Sequence, residues 1–208
     1  MTELRAVIFD WRGTLVTTLT PQEWAGAAME RLRRPARPIP ALEEEPPGDD
    51  TDAERHRAAY YRYFAAAGLD DDLADALYAV ESDPAHNLFA VDAVPVLRAI
   101  AAHGTKIAVL SDIHFDIRPA FTVAGLGDVV NAYTLSFEHG VQKPDPAIFR
   151  LALDALGTEP AQTLMVGDRA GWDGGALDLG IPTLLIPPLT DPRQERLDLA
   201  ARVLDVKL

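Results

Sequence analysis

The stretch that most constrains the fold is a short apolar run that ends in a carboxylate. Residues Ala6–Phe9 are all apolar, Asp10 follows them, and a turn begins at Gly13 and Thr14. Four apolar residues are too few for a helix but suit a strand that is buried on both faces. Open α/β sheets bind ligands at the carboxyl ends of their strands, so Asp10 is the first candidate for chemistry. The alternative is that Asp10 only caps the turn.

Composition narrows the class of protein and of partner. The 208 residues, 48% hydrophobic and 25% charged, fit one or two globular domains. Cysteine is absent, which excludes disulfides and thiolate sites. The net charge of −13 argues against nucleic acid, and the sequence shows neither a leader pattern nor a membrane-length apolar run. We expect a cytoplasmic monomer or homodimer that binds a small molecule and neither nucleic acid nor membrane.

A group of helix signals follows the first strand without any strand signal. Thr20 and Glu23 have the spacing of a capping box, and residues 35–50 are rich in proline and acid, which is typical of a solvated connector. The predicted helices cover residues 21–34, 52–68 and 71–80. We interpret this region as an all-helical cap inserted after the first strand. The predicted boundaries are 17–88 for the cap and 1–16 with 89–208 for the core.

The rest of the chain alternates between strand and helix signals. Strands are predicted at residues 6–9, 106–110, 132–135, 163–166 and 183–186. Helices are predicted at residues 93–103, 117–124, 146–156, 172–179 and 192–204. Such βα alternation predicts an α/β fold with a parallel sheet of five or six strands and helices on both faces.

Polar residues follow four of these strands and should meet at one edge of the sheet. They are Asp10, Ser111, Lys143 in QKPDP, and Asp168 with Asp173 in GDRAGWD. A single crevice would then contain a nucleophilic carboxylate, a hydroxyl, a cation and two further carboxylates.

Four stretches carry a family resemblance. They are VIFDWRGTL, VLSD, GVQKPDPAIF and MVGDRAGWDGGA. With these stretches in this order, the chain resembles the haloacid dehalogenase-like hydrolase superfamily over essentially its whole length. The resemblance implies a Rossmann-like core and hydrolysis of a phosphorylated small molecule, with Asp10 as nucleophile and an aspartyl phosphate as intermediate.

The resemblance also implies a magnesium site. Asp10, Asp168 and the backbone carbonyl of Arg12 would bind Mg²⁺, while Asp173 would support the metal or hold Lys143. Crowded carboxylates favour a hard divalent cation, which agrees with this assignment.

Substrate contacts are implied for the remaining motif residues. Ser111 and Lys143 would neutralise the transferring phosphoryl group, whose oxygens gain negative charge. Asp112 is expected to bind the substrate beside Ser111. Thr14 is expected to hydrogen-bond the nucleophile, to bind the phosphate or to stabilise the turn. Ser111 could instead be an ordinary helix cap, and Lys143 a surface lysine.

The sequence departs from the family at Arg12. Phosphatases of this superfamily usually have an aspartate there, which protonates the leaving alcohol and later activates water. Arginine stays protonated at any usable pH, and loss of positioned acid–base catalysis costs on the order of 10²–10⁴ in rate. Activity should therefore favour phosphates with acidic leaving groups unless another residue, such as His114, donates the proton. An Arg12→Asp variant should then hydrolyse ordinary phosphomonoesters faster.

Three alternatives remain open. Haloacid dehalogenases expel halide without a proton, but they lack a metal and have Ser and Asn in place of Asp168 and Ala170. Phosphonoacetaldehyde hydrolases use a cap lysine, and residues 17–88 contain no lysine. A non-catalytic binding module on the same fold is the third alternative.

The five histidines show no metal-ligand spacing. His56, His86, His103 and His139 are interpreted as surface or loop residues. His114 follows Ser111 and Asp112 closely, so it could face a substrate.

Overall fold

A five-stranded parallel sheet forms the centre of the computed structural model, which describes residues 3–43 and 48–208. Its strands are β1 (Ala6–Phe9), β2 (Lys106–Ser111), β3 (Ala132–Leu135), β4 (Thr163–Gly167) and β5 (Thr183–Leu185). They lie in the order β3-β2-β1-β4-β5, so β1 occupies the middle of the sheet. The predicted α/β, Rossmann-like fold is confirmed.

Burial on both faces explains the uninterrupted apolar run of β1. Val7 and Phe9 belong to one apolar cluster, whereas Ala6 and Ile8 belong to another. All four side chains are inaccessible to solvent. Because successive side chains of a strand point to opposite faces, a strand covered on both sides needs apolar residues at every position.

Helices cover both faces of the sheet. They are α4 (Ala93–Ala102), α5 (Arg118–Val123), α6 (Ser136–His139), α7 (Pro146–Leu156) and α8 (Asp198–Val203). Apolar residues of α7 pack with Ala6 and Ile8, while those of α4, α5 and α8 pack with Val7 and Phe9. No helix in the described ranges is both long and apolar enough to cross a membrane.

Two predicted helices differ from the structure. The segment predicted as a helix over residues 172–179 is a 3-10 helix, Asp173–Leu179, which contains two adjacent glycines with low α-helical propensity. The last helix begins at Asp198 rather than Pro192. The amide groups of Arg196 and Leu197 donate to the Asp92 carboxylate, which holds the preceding segment against α4.

Three helices, α1 (Pro21–Arg31), α2 (Ala53–Ala66) and α3 (Asp71–Glu81), surround an apolar cluster of their own. Thr20 and Glu23 form the predicted capping box. α1 ends three residues earlier than predicted, and Arg33 just beyond it has a left-handed backbone. We call α1–α3 the cap helices; their separate core supports the proposed cap at residues 17–88.

The connector between α1 and α2 is not simply a solvated loop. It contains a 3-10 helix, Pro40–Glu43, and residues 44–47 of the predicted loop lie outside the described residues. At its far end, the Asp50 amide donates to Gln142 Oε1 at 3.0 Å, and the Asp50 carbonyl accepts from Ser136 Oγ at 2.7 Å. This segment has no periodic apolar pattern because side-chain hydrogen bonds, rather than a packed face, hold it.

Candidate active site

The turn after β1 is fixed by its backbone and by a close neighbour. The Asp10 amide donates to the Val166 carbonyl of β4, and the Trp11 carbonyl accepts from three amides of the turn. Gly13 has φ +82°, and a Cβ there would lie 2.5 Å from Asp168 Oδ2. Only glycine fits this position without strain, because any larger residue would collide with Asp168. The glycine therefore allows the first and fourth motifs to lie close together.

Lys143 lies buried beneath the site as its central cation. Its Nζ is 2.5 Å from Asp10 Oδ1 and 2.7 Å from Asp173 Oδ1. Burial alone would lower the pKa of Lys143, but the carboxylates of Asp10, Asp173 and Asp112 outweigh it and raise the pKa. Lys143 therefore stays charged and is not the surface residue considered above.

Asp173 holds Lys143 and the loop after β4. Besides the bond to Lys143, its Oδ2 accepts from the amides of Asp168 and Arg169 at 3.1 and 2.9 Å. A Cβ at Gly167 would lie 2.2 Å from Asp173 Cγ, so that glycine makes room for the carboxylate. Asp173 was expected either to support the metal or to hold Lys143, and these contacts support the second role.

The carboxylates of Asp10, Asp168 and Asp173 each place an oxygen within 4.8 Å of the others. Asp10 Oδ2 is buried without a hydrogen-bond partner in the described structure. Burial raises the pKa of Asp10 against the opposing effect of Lys143, and burial with the Asp10 and Asp173 charges raises the pKa of Asp168 to about 6. An unpaired buried oxygen among crowded carboxylates is what a hard cation would neutralise, so these donors fit Mg²⁺.

Two further groups border this carboxylate cluster. Thr14 Oγ1 donates to Asp168 Oδ1 at 3.3 Å, so Thr14 orients a proposed metal ligand. Within residues 3–43 and 48–208, no donor reaches the carbonyl oxygen of Arg12, which leaves it available as a ligand.

A cavity of about 320 Å³ opens above these groups. Its lining includes Asp10, Arg12, Thr18, Asp50, Ser111, Asp112, Asp168 and Arg169. Ser111 Oγ makes a long hydrogen bond of 3.4 Å to the Asp112 carbonyl, so a ligand oxygen can replace this partner. Asp112 Oδ1 accepts from the Lys143 amide at 2.9 Å, and burial raises the pKa of Asp112 to about 6, partly opposed by Lys143.

The geometry and one sequence comparison together decide the family. A sequence model of the haloacid dehalogenase-like hydrolases matches residues 4–178. The chain belongs to this family. The resemblance inferred from the four motifs is thereby confirmed. Asp10, Ser111 and Asp168 of these motifs line one cavity, and Lys143 lies buried against Asp10.

Relatives within the family include both dehalogenases and phosphatases. The chain is 32% identical over 115 residues to (S)-2-haloacid dehalogenase 1 of Pseudomonas sp. strain CBS-3, covering 54% of this chain and 50% of that protein. It is 36% identical over 100 residues to phosphoglycolate phosphatase of Rhodospirillum rubrum, covering 45% of this chain and 39% of that protein. The chain thus matches half or less of the length of these relatives.

Solved structures of the family share the whole fold. A superfamily hydrolase from Geobacter sulfurreducens superposes with a TM-score of 0.69, covering 97% of this chain and 96% of that one, at 17% identity. At this identity the similarity concerns the fold alone.

Arg12, which we expect to depart from the family pattern, binds a cap helix. Its Nη1 donates to Glu81 Oε1 at 2.6 Å, its Nη2 to the Glu81 carbonyl at 2.9 Å, and its Nε to Asn87 Oδ1 at 3.4 Å. The sequence did not predict this pairing because residues 12 and 81 belong to different predicted units. The turn after β1 is thus coupled to the end of α3 through Arg12.

His56 contradicts the prediction of a surface position, and it stacks on His114, the histidine that was expected to face a substrate. His56 and His114 are only 2% and 4% exposed, and their rings stack with centroids 3.4 Å apart. Asp50 Oδ1 lies 3.6 Å from His56 Nε2 and 3.5 Å from His114 Nδ1. No spacing signal could reveal this group, because its members come from the connector, α2 and the loop after β2. The exposed positions predicted for His103 and His139 agree with the structure, and His86 is partly buried.

Proposed function

We propose that this hydrolase removes phosphate from a small molecule through an aspartyl phosphate on Asp10, with Mg²⁺ as cofactor. The observation that carries the proposal is the pairing of Asp10 Oδ1 with buried Lys143 while Oδ2 has no partner. One oxygen is oriented by a fixed cation, and the other is free to attack or to bind a metal. We propose a cytoplasmic monomer or homodimer.

Each residue has a role that its contacts support. An Asp10 oxygen attacks phosphorus, and Lys143 with Ser111 stabilises the charge on the phosphoryl oxygens. Asp173 keeps Lys143 in place, and Asp112 holds the Lys143 backbone while facing the substrate. Mg²⁺, held by Asp10, Asp168 and the Arg12 carbonyl, would supply further charge neutralisation.

A second candidate is hydrolytic dehalogenation, favoured by the dehalogenase relative. Asp168 argues for phosphate chemistry, because a third acidic group beside Asp10 and Asp173 needs a cation and would repel a carboxylate substrate. A binding module without catalysis would need neither the buried Lys143 nor its fixed geometry.

Two assays separate these candidates. Phosphate release from a panel of phosphomonoesters is measured with Mg²⁺ and with chelator, and chloride release from 2-chloropropionate is measured without metal. Asp10→Asn should reduce phosphate release on the order of 10³-fold or more. Asp154→Asn, which changes an exposed carboxylate of α7, is the matched control.

The outcomes are distinct. Magnesium-dependent phosphate release with acid-stable phosphate on Asp10 supports the proposal. Chloride release alone would replace it with dehalogenation, and release of neither product by a folded protein would favour the binding module.

A further inference from the structure

A closed group of polar side chains lies between the cap helices and the core, beside the cavity. Asp50 contacts both His56 and His114, as given above. His114 Nε2 lies 2.9 Å from Ser82 Oγ, and His56 Nδ1 lies 3.2 Å from Tyr78 Oη. The Ser82 amide donates to the Tyr78 carbonyl at the end of α3, at 3.0 Å. Only Asp50 of these five residues lines the cavity.

Stacking of the two imidazoles indicates that this group holds a proton rather than a metal ion. The rings are nearly parallel, with an interplanar angle of 11°. An imidazole nitrogen binds a metal along its lone pair, which lies in the ring plane. An ion shared by two stacked rings would lie outside both planes. A proton on one ring needs no such shared position, because each ring faces the Asp50 carboxylate separately.

The charges around the group favour a single proton on it. Burial and the neighbouring His114 lower the pKa of His56 to about 4, so His56 is neutral near pH 7. Asp49 of the connector and Arg12 of the β1 turn act on His56 in opposite directions. Tyr60 of α2 stacks on its ring, Glu81 of α3 pairs with Arg12, and Asp112 after β2 faces Asp50. His114 Nδ1 is buried without a hydrogen-bond partner in the described structure and lies 3.5 Å from Asp50 Oδ1, so the two side chains are placed to share a proton.

We propose that Asp50, supported by His114 and His56, performs the proton transfers for which Arg12 is unsuited. This inference rests on the proposed phosphate hydrolysis. As the P–O bond to the leaving group breaks, Asp50 passes to the leaving oxygen the one proton that it shares with His114. When water attacks the aspartyl phosphate, Asp50 accepts the proton of that water and returns it to His114. Asp50 is the catalytic residue, and the two histidines are positioning residues.

Asp50 also has the support that a catalytic group requires. Its backbone is fixed to the core by Ser136 and Gln142, so the carboxylate is held over the same cavity as Asp10. The cap contributes His56 and Ser82, and the core contributes His114. The acid is therefore complete only when cap and core are in contact.

The test compares two substrates that differ in their need for a proton. Wild type, Asp50→Asn and Asp49→Asn are assayed with 4-nitrophenyl phosphate, whose leaving group is acidic, and with glycerol phosphate, whose leaving group is basic. Asp50→Asn should reduce kcat for glycerol phosphate on the order of 10²-fold or more, and for 4-nitrophenyl phosphate much less. Asp49→Asn removes the same charge one residue earlier, where the carboxylate accepts from Thr51, and should change neither.

A pH profile tests the histidines. His114→Gln should change the shape of the kcat profile for glycerol phosphate, whereas loss of a merely structural residue would lower the whole profile evenly. Equal losses on both substrates in Asp50→Asn, or none, would overturn the proton-transfer role.

Failure of the underlying function gives a different result. If wild type releases phosphate from neither substrate, phosphate hydrolysis itself fails and this inference fails with it. If wild type cleaves only 4-nitrophenyl phosphate, phosphate hydrolysis stands and the proposed proton donor is rejected. Thermal unfolding of each variant confirms that the compared proteins are folded.

Discussion

Arg12 Nη1 and Glu81 Oε1 lie 2.6 Å apart, and this contact joins the turn after β1 to the last residue of α3. The two side chains are 22% and 13% exposed, so the ion pair is largely shielded from water. Breaking a shielded pair leaves one charge without its partner, which costs more than the pair contributes. Arg12 is therefore part of the cap–core interface.

Substitution of Arg12 should first affect stability. Arg12→Met should lower the free energy of unfolding by about 2–3 kcal/mol because Glu81 loses its partner, and Arg12→Asp should lower it further through like-charge repulsion. Adding Glu81→Gln should restore part of the loss in Arg12→Asp. Urea denaturation measures each value, and equal stability of the Met and Asp variants would contradict the repulsion. Phosphomonoester turnover of the Arg12→Asp, Glu81→Gln double variant tests the two proton donors against each other: a gain is expected if position 12 lacks an acid, and none if Asp50 already supplies the proton.

Magnesium binding should depend on Asp168. Asp168→Asn removes one of the anionic ligands and should weaken Mg²⁺ binding by about tenfold or more. Calorimetric titration of both proteins measures the change. Asp154→Asn should bind like wild type, and the metal assignment fails if Asp168→Asn does so as well.

Lys143→Met should remove both activity and stability. Without the cation, the buried carboxylates of Asp10 and Asp173 repel one another, at a cost of about 3–5 kcal/mol. The loss should be smaller at low pH, because burial raises the pKa of Asp10 and its protonation removes the repulsion. Chemical denaturation at about pH 5 and about pH 8 makes the comparison. A loss that is equal at both pH values would argue against charge repulsion as its cause.

His56 should make the protein less stable in acid. Its pKa is about 4 in the folded chain and 6.5 unfolded, so the unfolded state binds the proton more readily. Stability should decrease as pH falls from about 6.5 towards about 4, by at most about 3 kcal/mol. In His56→Gln that part of the pH dependence should disappear, as measured by unfolding at matched pH values. His103→Gln, an exposed control, should keep it.

The sequence predicted the sheet and the floor of the site because their signals are local. β1 is a continuous apolar run, and the positions of Asp10, Ser111, Lys143 and Asp168 follow from where strands end. Parallel strands bring those ends to one edge whatever the lengths of the connections between them. For these strands, the local sequence pattern and the arrangement of the whole sheet predict the same structure.

Contacts between the cap and the core could not be predicted in this way. The Arg12–Glu81 pair and the group of Asp50, His56 and His114 join segments that are far apart in the chain. Neither has a repeating pattern, and each depends on how the cap helices sit on the sheet. The composition of the connector predicts a solvated segment. Composition carries no signal for the two side-chain hydrogen bonds that the backbone of Asp50 makes.

Those two hydrogen bonds have a consequence for how natural variation in this chain is interpreted. Ser136 and Gln142 do not line the cavity, yet they fix the backbone of the residue that we propose as proton donor. A change at either position would alter the turnover of basic leaving groups while leaving nucleophile, lysine and metal ligands intact. Natural substitutions at positions outside the cavity would thus change which leaving groups the enzyme can release.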